Sequence, residues 1–287
     1  MFNMAYGKKI TLFLMDGSAE GRISCELSNW NGKAYRIPRA CIRQCTDRKD
    51  MDNAGVYILF GKSDNTDKEG LAYIGEADGI LKRLTQHLSQ KDFWNDAIVF
   101  VSKDNNLNKA HIKYIENRLY EVADEIGRYK LENSNTPTRS TISEPDEAEM
   151  EEFIANIKLL ISTLGFKIFE PLISQQNATP NNILYIQAVR GASAQGISTT
   201  EGFVVLKNSR IADSVTCSFT DNYRHLREKL LSNNMIVQDS EGLILTKDLL
   251  FSSPSTAASI VMGRCANGLT EWKTKDGRIL KSVEETK

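Results

Sequence analysis

Five side chains able to do chemistry lie within one stretch of the chain: Tyr57, Tyr73, Arg83, His87 and Glu116. Arg83 and His87 are four residues apart, so on a helix they project from one flank. Glu116 adjoins the apolar positions of a later helical pattern, and a carboxylate there is costly to desolvate unless something pairs with it. A metal ion is one such partner; Lys113 or Arg118 is the other. Taken singly, each residue also has a purely structural reading. The tyrosines are then half-buried strand aromatics, Arg83 a solvated helix residue, His87 a core-edge histidine, and Glu116 one half of a salt bridge with Lys113.

Short apolar runs carry the two tyrosines. Val56 to Phe60 and Tyr73-Ile74-Gly75 are rich in β-branched and aromatic residues, and Gly61-Lys62-Ser63-Asp64-Asn65 between them reads as a turn, which predicts a β-hairpin. Side chains alternate across a strand, so register decides whether the two phenols share a face. Ile80, Leu84 and Leu88 then recur every four residues, predicting an amphipathic helix with Asp78 as its N-cap. Ala97 to Val101 predicts a buried third strand. Asp104-Asn105-Asn106 offers a cap for the next helix, whose stripe is Ile112, Ile115, Leu119, Val122 and Ile126.

The order Gly55-Val56-Tyr57, Tyr73-Ile74-Gly75, a helix bearing Arg83 and His87, and a second helix bearing Glu116 resembles the GIY-YIG nuclease family. The likeness covers roughly Gly55 to Leu131. It implies a three-stranded sheet flanked by helices and a divalent-metal-dependent endonuclease acting on DNA, with restriction or phage defence as its setting. Hydrolysis of a phosphodiester needs a base for the attacking water, positive charge on the phosphoryl oxygens and help for the departing 3′ oxygen. In that scheme Tyr57 is the general base, although a phenol's ordinary pKa of about 10 must then be lowered. Tyr73 positions water or phosphate, Arg83 clamps the phosphate through its planar fork, and His87 assists proton transfer or holds a phosphate oxygen. Glu116 holds Mg2+ or Mn2+, completed by water and substrate. Glu76 departs from the pattern by placing an acid where phosphate should lie, and Lys109 or Lys113 offers a replacement cation. For the downstream asparagine of some relatives, Asn117, Asn133 and Asn135 are available. A competing reading follows from Glu76: a DNA-binding protein, reading modified DNA, whose hydrolytic centre has weakened. RNA is not excluded as substrate. One chain supplies one site, so cutting two strands calls for a homodimer or two sequential events.

The 287 residues exceed a typical single domain, and 41% hydrophobic with 25% charged residues is ordinary for globular chains. No run is long and apolar enough to cross a bilayer, and no secretory signal is evident. Five cysteines without a Cys-x-x-Cys pair favour a reduced, cytoplasmic setting. The formal net charge is −1. Residues 1–54 carry +3, residues 55–170 carry −6 and residues 171–287 carry +2, and the central deficit falls largely on the six acids between Glu144 and Glu152. Binding to a polyanion would therefore need a local basic patch.

The expected architecture is α+β. Residues 1–51 form a small N-terminal β extension, with Lys9 to Met15 and Gly21 to Leu27 as a hairpin. Residues 52–132 form the nuclease-like domain. Residues 133–181 hold a polar linker (Asn133 to Thr141), a helix from Asp146 whose stripe is Met150, Phe153, Ile154, Ile157, Ile161 and Leu164, and a polar break from Ser174 to Asn182. That helix bridges the two halves, packing on the nuclease core or on a second copy. Residues 182–287 form an accessory domain, with strands at Ile183 to Arg190 and Gly202 to Leu206 joined by a Gly/Ser/Ala-rich loop. A helix follows over Asn222 to Asn233, with Leu226, Leu230 and Leu231 inward and Arg224, Arg227 and Lys229 outward. Near the end, Ser253 caps a helix begun by Pro254. This region resembles uncharacterised domains found C-terminal to GIY-YIG nucleases and beside restriction-modification enzymes. By that association Arg264, Asn267, Trp272 and Lys273 are candidates for phosphate contact and base stacking. The alternative is that Trp272 is core.

Overall fold

The computed structural model describes residues 6–62, 70–173 and 182–285. It divides into two compact units, Met1–Glu170 and Pro171–Lys287. Of the expected features, the turn residues Ser63, Asp64 and Asn65 and positions 174–181 of the polar break lie outside the described residues.

The first unit is built on one sheet. Its strands are β1 (Ile10–Leu14), β2 (Ile23–Leu27), β3 (Gly32–Pro38), β4 (Gly55–Gly61), β5 (Gly70–Ala77), β6 (Asp96–Ser102) and β7 (Tyr129–Leu131), in the order β1-β2-β3-β6-β4-β5-β7. The β5–β7 pair is parallel and the rest are antiparallel. The three strands expected from the sequence, β5, β4 and β6, are neighbours within it, but the sheet has seven strands, not three. The reason lies in β6. Its all-apolar run is buried on both faces and exposes an edge that must be paired or covered, and β3 pairs it from Gly32↔Ser102 to Pro38↔Asp96. The N-terminal strands thus continue the central sheet.

Helices α1 (Ile80–Gln90), α2 (Lys109–Ile126) and α3 (Glu144–Thr163) complete the unit. On one face, Val56, Ile58, Ile74 and Phe100 pack with Ile112, Ile115 and Leu119 of α2 and Phe153, Ile157 and Ile161 of α3. On the other, Tyr57, Leu59, Val99 and Val101 pack with Ile80 and Leu84 of α1 and with Ile42, Cys45 and Met51 from two 3-10 segments, Arg39–Asp47 and Lys49–Asp52. The helix expected to join the halves therefore lies on the first unit's core. Two caps differ from expectation. Gly79, not Asp78, precedes α1, because the Asp78 carboxylate is taken by Lys109. Asn108 caps α2, its side chain accepting from the amides of Ala110 and His111.

The second unit holds β8 (Leu184–Gln187), β9 (Ser193–Thr199), β10 (Gly202–Val205), β11 (Arg210–Ile211), β12 (Ile236–Asp239), β13 (Gly242–Leu245) and β14 (Leu249–Phe251). Its sheet runs β12-β13-β11-β9-β10-β14, with β8 also on β9. The segment expected as a loop is its central strand β9. Small residues there are a packing requirement: a side chain at Gly196 would collide with the Phe203 ring. Helices α4 (Asp221–Ser232), α5 (Pro254–Met262), α6 (Gly268–Glu271) and α7 (Leu280–Glu284) accompany the sheet. Ser253 caps α5 as the sequence suggests, accepting from the Thr256 amide. Helix α4 is rotated from the expected face: Arg227 is buried and donates to the Ala212 carbonyl, while Leu231 is exposed.

A candidate active site at the edge of strand β5

Register settles the question left open by the hairpin. Tyr57 lies opposite Gly75 and Leu59 opposite Tyr73, so both phenols point to the α1 face. Their ring centroids are 6.2 Å apart. Gly75 is what admits the first of them, since a Cβ at that position would collide with the Tyr57 phenol. His87 reaches down from α1 to the pair. Its Nε2 is 2.7 Å from the Tyr57 oxygen, and its ring lies 5.4 Å from that of Tyr73.

Helix α2 approaches from the opposite face and brings Glu116 around the β5 edge. The outcome is a cleft of about 440 Å³ lined by Tyr73, Arg83, His87, Lys91, Glu116 and the segment from Asn133 to Thr138. Four of the five sequence-selected residues face this one space. Tyr57 does not line it. It is fully buried one hydrogen bond behind His87.

The electrostatics follow from burial. Desolvation pushes the Tyr57 phenol well above its ordinary pKa, Tyr73 adding to the effect and Arg83 opposing it. The lowered pKa that a tyrosine base requires is thus not present in this state. His87 is held down at about 4 by burial and by the cations Arg83 and Lys91, so its imidazole is neutral at pH 7. Its Nδ1 is buried without a partner. Glu116 is raised to about 7, by burial and then by Glu76, against the pull of Lys109, the Glu76 backbone amide and Lys113. Neither ordinary partner has claimed it: Arg118 bonds Glu151 and Glu121, and no Glu116–Lys113 bridge occurs among the described residues.

The acid that departs from the family pattern has a counter-ion. Lys109 donates to Glu76 at 2.7 Å and to Asp78 at 3.0 Å, beside a second cleft of about 330 Å³ that shares Arg83 with the first. Lys113 remains on the surface.

Two contributors were less legible. Asn133, in the stretch expected as a linker, clasps the β5 edge: its Oδ1 accepts from the Ile74 amide at 3.1 Å and its Nδ2 donates to the Ile74 carbonyl at 2.7 Å. Asn117 donates to the Pro137 carbonyl at 3.0 Å, and its Oδ1 is a buried acceptor without a partner. The supposed linker is therefore a wall of the cleft. Lys91 places its ammonium 4.1 Å from the centre of the Tyr73 ring. A signal for it existed, because Arg83, His87 and Lys91 continue one four-residue spacing.

In the second unit, burial removes one of the four candidates and local contacts engage the others. Trp272 is fully buried, its ring tilted against Phe203 and its indole N–H on the Pro254 carbonyl, and is unavailable for base stacking. Arg264 is paired with Glu271 at 2.7 Å. Asn267 caps α6, accepting from the Leu269 amide. Lys273 holds a backbone bridge to Tyr185 while its side chain is exposed.

Residues 184–284 match a family described as a domain of unknown function, DUF4357. No curated protein and no solved structure matches the chain.

Proposed function

We propose that the cleft at the β5 edge hydrolyses phosphodiester bonds of DNA as a GIY-YIG-type endonuclease that uses a divalent cation, Mg2+ or Mn2+. The observation that carries this reading is the convergence of Tyr73, Arg83, His87 and Glu116 on one space from one strand and two helices, with Tyr57 of a second strand bonded directly behind His87. A restriction or phage-defence setting rests on the family resemblance alone.

Glu116 suits the cation. It is a half-buried carboxylate raised to about 7, whose charge lacks an ordinary partner. Among the described residues no cluster of three or more potential ligands exists, so water and substrate phosphate would have to complete the coordination of a cation held by Glu116. When bound, the cation would supply positive charge to the phosphoryl oxygens and the departing oxygen. The chain's own residues do the rest. Arg83 grips a non-bridging phosphate oxygen, and Tyr73, held by Lys91, orients the attacking water. Neutral His87, its Nε2 bonded to the Tyr57 hydroxyl, accepts the proton of the attacking water, and Tyr57 holds the imidazole in position for that transfer. Tyr57 thus works through His87, one bond removed from the cleft wall.

The test is cleavage of supercoiled plasmid in Mg2+ by the full chain, Tyr57→Phe and Glu116→Ala. Each substitution lowers the rate by about 100-fold or more, and equal cutting by all three proteins rejects the assignment. The weakened-reader alternative is favoured by Glu76, which raises the pKa of the carboxylate meant to hold the cation. Retained DNA binding without cutting by any of the three would establish it. A parallel single-stranded RNA substrate decides the polymer.

A further inference from the structure

The far end of the first unit's sheet carries a surface that the cleft does not use. β1 is the terminal strand, paired with β2 on one side alone among the described residues. Its sequence is Ile-Thr-Leu-Phe-Leu, without charge, proline or bulge, and Leu12, Phe13 and Leu14 are 49%, 59% and 41% exposed. Edge strands of stable monomers are ordinarily blunted by charge, proline or a covering segment. This one is apolar on both faces. Leu12 and Leu14 lie on the face of Cys25 and Ile23, and Phe13 lies on the other.

The backbone parity fixes what can join it. The Met15 amide donates to the Arg22 carbonyl and the Ser28 amide donates to the Lys9 carbonyl, so odd-numbered residues point their backbone groups at β2. The amides of Ile10, Leu12 and Leu14 point away from the sheet. A second β1 can pair antiparallel only where even residues meet even residues. Centred on Leu12, that register sets Ile10 opposite Leu14 on both sides of a two-fold axis and brings Lys8 toward Asp16, whose carboxylate already holds Arg22 at 2.7 Å.

We infer that two copies of this chain associate through antiparallel pairing of β1 with β1, with Leu12 on the two-fold axis and Ile10 facing Leu14 of the other copy. The sheet becomes continuous across both first units. A single strand pair buries less than the surface typical of permanent dimers, so the dimer is reversible and dissociates on dilution. The inference is independent of any hydrolytic activity.

Sedimentation equilibrium on the full chain from about 1 to about 200 μM tests it. The parent shifts from monomer to dimer across this range. Leu12→Lys, which sets two like charges against each other on the axis, stays monomeric with an unchanged far-ultraviolet circular dichroism spectrum. Leu12→Cys, combined with Cys25→Ala to remove its cross-strand partner within the chain and with Cys217→Ser and Cys265→Ser to remove the exposed native thiols, forms a covalent dimer on mild oxidation. Facing residues in such a pair lie about 5.5 Å apart between Cα atoms, inside the disulfide range of about 4.4–6.8 Å. A parent that is monomeric throughout overturns the proposal, as does a dimer unaffected by Leu12→Lys, or a failure of Leu12→Cys to cross-link at concentrations where the parent is dimeric. Should another part of the chain cover β1, the thiol introduced by Leu12→Cys would resist alkylation in a monomer, and the proposal would again fail.

Discussion

The two units put their polar side chains to different use. In the second, Arg190 and Arg227 donate to the carbonyls of Met262 and Ala212, Trp272 donates to Pro254, and Arg264 is neutralised by Glu271. These groups close backbone ends and pin helices to strands. In the first, the groups along the β5 edge are left partly unfinished: His87 Nδ1 and Asn117 Oδ1 are buried without partners, and Glu116 holds its proton up to about pH 7. Unfinished polar groups cost stability. Buried orphans also occur in the second unit, at Arg190 Nε and Arg227 Nη1, so what marks the β5 cleft as the place for chemistry is that Arg83, His87 and Glu116 face one open space.

That contrast is open to measurement. Its largest expected expression is Trp272→Ala, which empties a fully buried site and removes the Pro254 bond; unfolding of the full chain in urea should show the second unit destabilised by about 3–5 kcal/mol. An unchanged midpoint would mean that Trp272 is not structural. A smaller effect of opposite sign belongs to Glu116→Gln. The Glu116 carboxyl titrates near 7 in the folded chain against an ordinary 4.5, so the fold binds its proton more tightly than the unfolded chain does. The resulting cost is absent below the unfolded value, grows as pH rises through this window and is complete above the folded value. Glu116→Gln should therefore stabilise the first unit at pH 8 by about 1–2 kcal/mol and change little at pH 4. Loss of stability at pH 8 would show a structural ion pair in place of an unfinished site. Least affected is Arg264→Ala, which removes a partly exposed ion pair and should cost about 1 kcal/mol or less, with DNA affinity by filter binding unchanged. A large loss of affinity would place Arg264 at a DNA interface in spite of its pairing with Glu271.

Much of the first unit could be read from residue order. The hairpin, α1, β6 and α2 follow from apolar spacing, because period two and period four are imposed by the backbone itself. The extent of the sheet was less accessible. Nothing in Ala34 to Pro38 names β6 as its partner, since long-range pairing is chosen by which edge remains free. Strand β9 was hidden for another reason. Glycine, serine and alanine have weak strand preference, and only the Phe203 ring opposite Gly196 explains their presence. Arg227 and Leu231 exchanged faces because a helix with arginine and leucine on adjacent positions leaves its rotation to tertiary contacts. At the site, the phenols' common face depended on the Tyr57↔Gly75 register, and Asn133 acts through a backbone group 59 residues away that no local pattern foreshadows.

Gly75 ties two positions into one unit of variation. Because the space a methyl would need there is filled chiefly by the Tyr57 phenol and then by the edge of the Tyr73 ring, alanine at 75 is tolerable only once the ring at 57 is gone and that at 73 gives way slightly, so substitutions at 57 and 75 should be strongly non-additive. A lineage that gave up the phenol would be released at the glycine as well. One that kept the glycine would retain a vacancy shaped for the ring, and with it a short mutational route back.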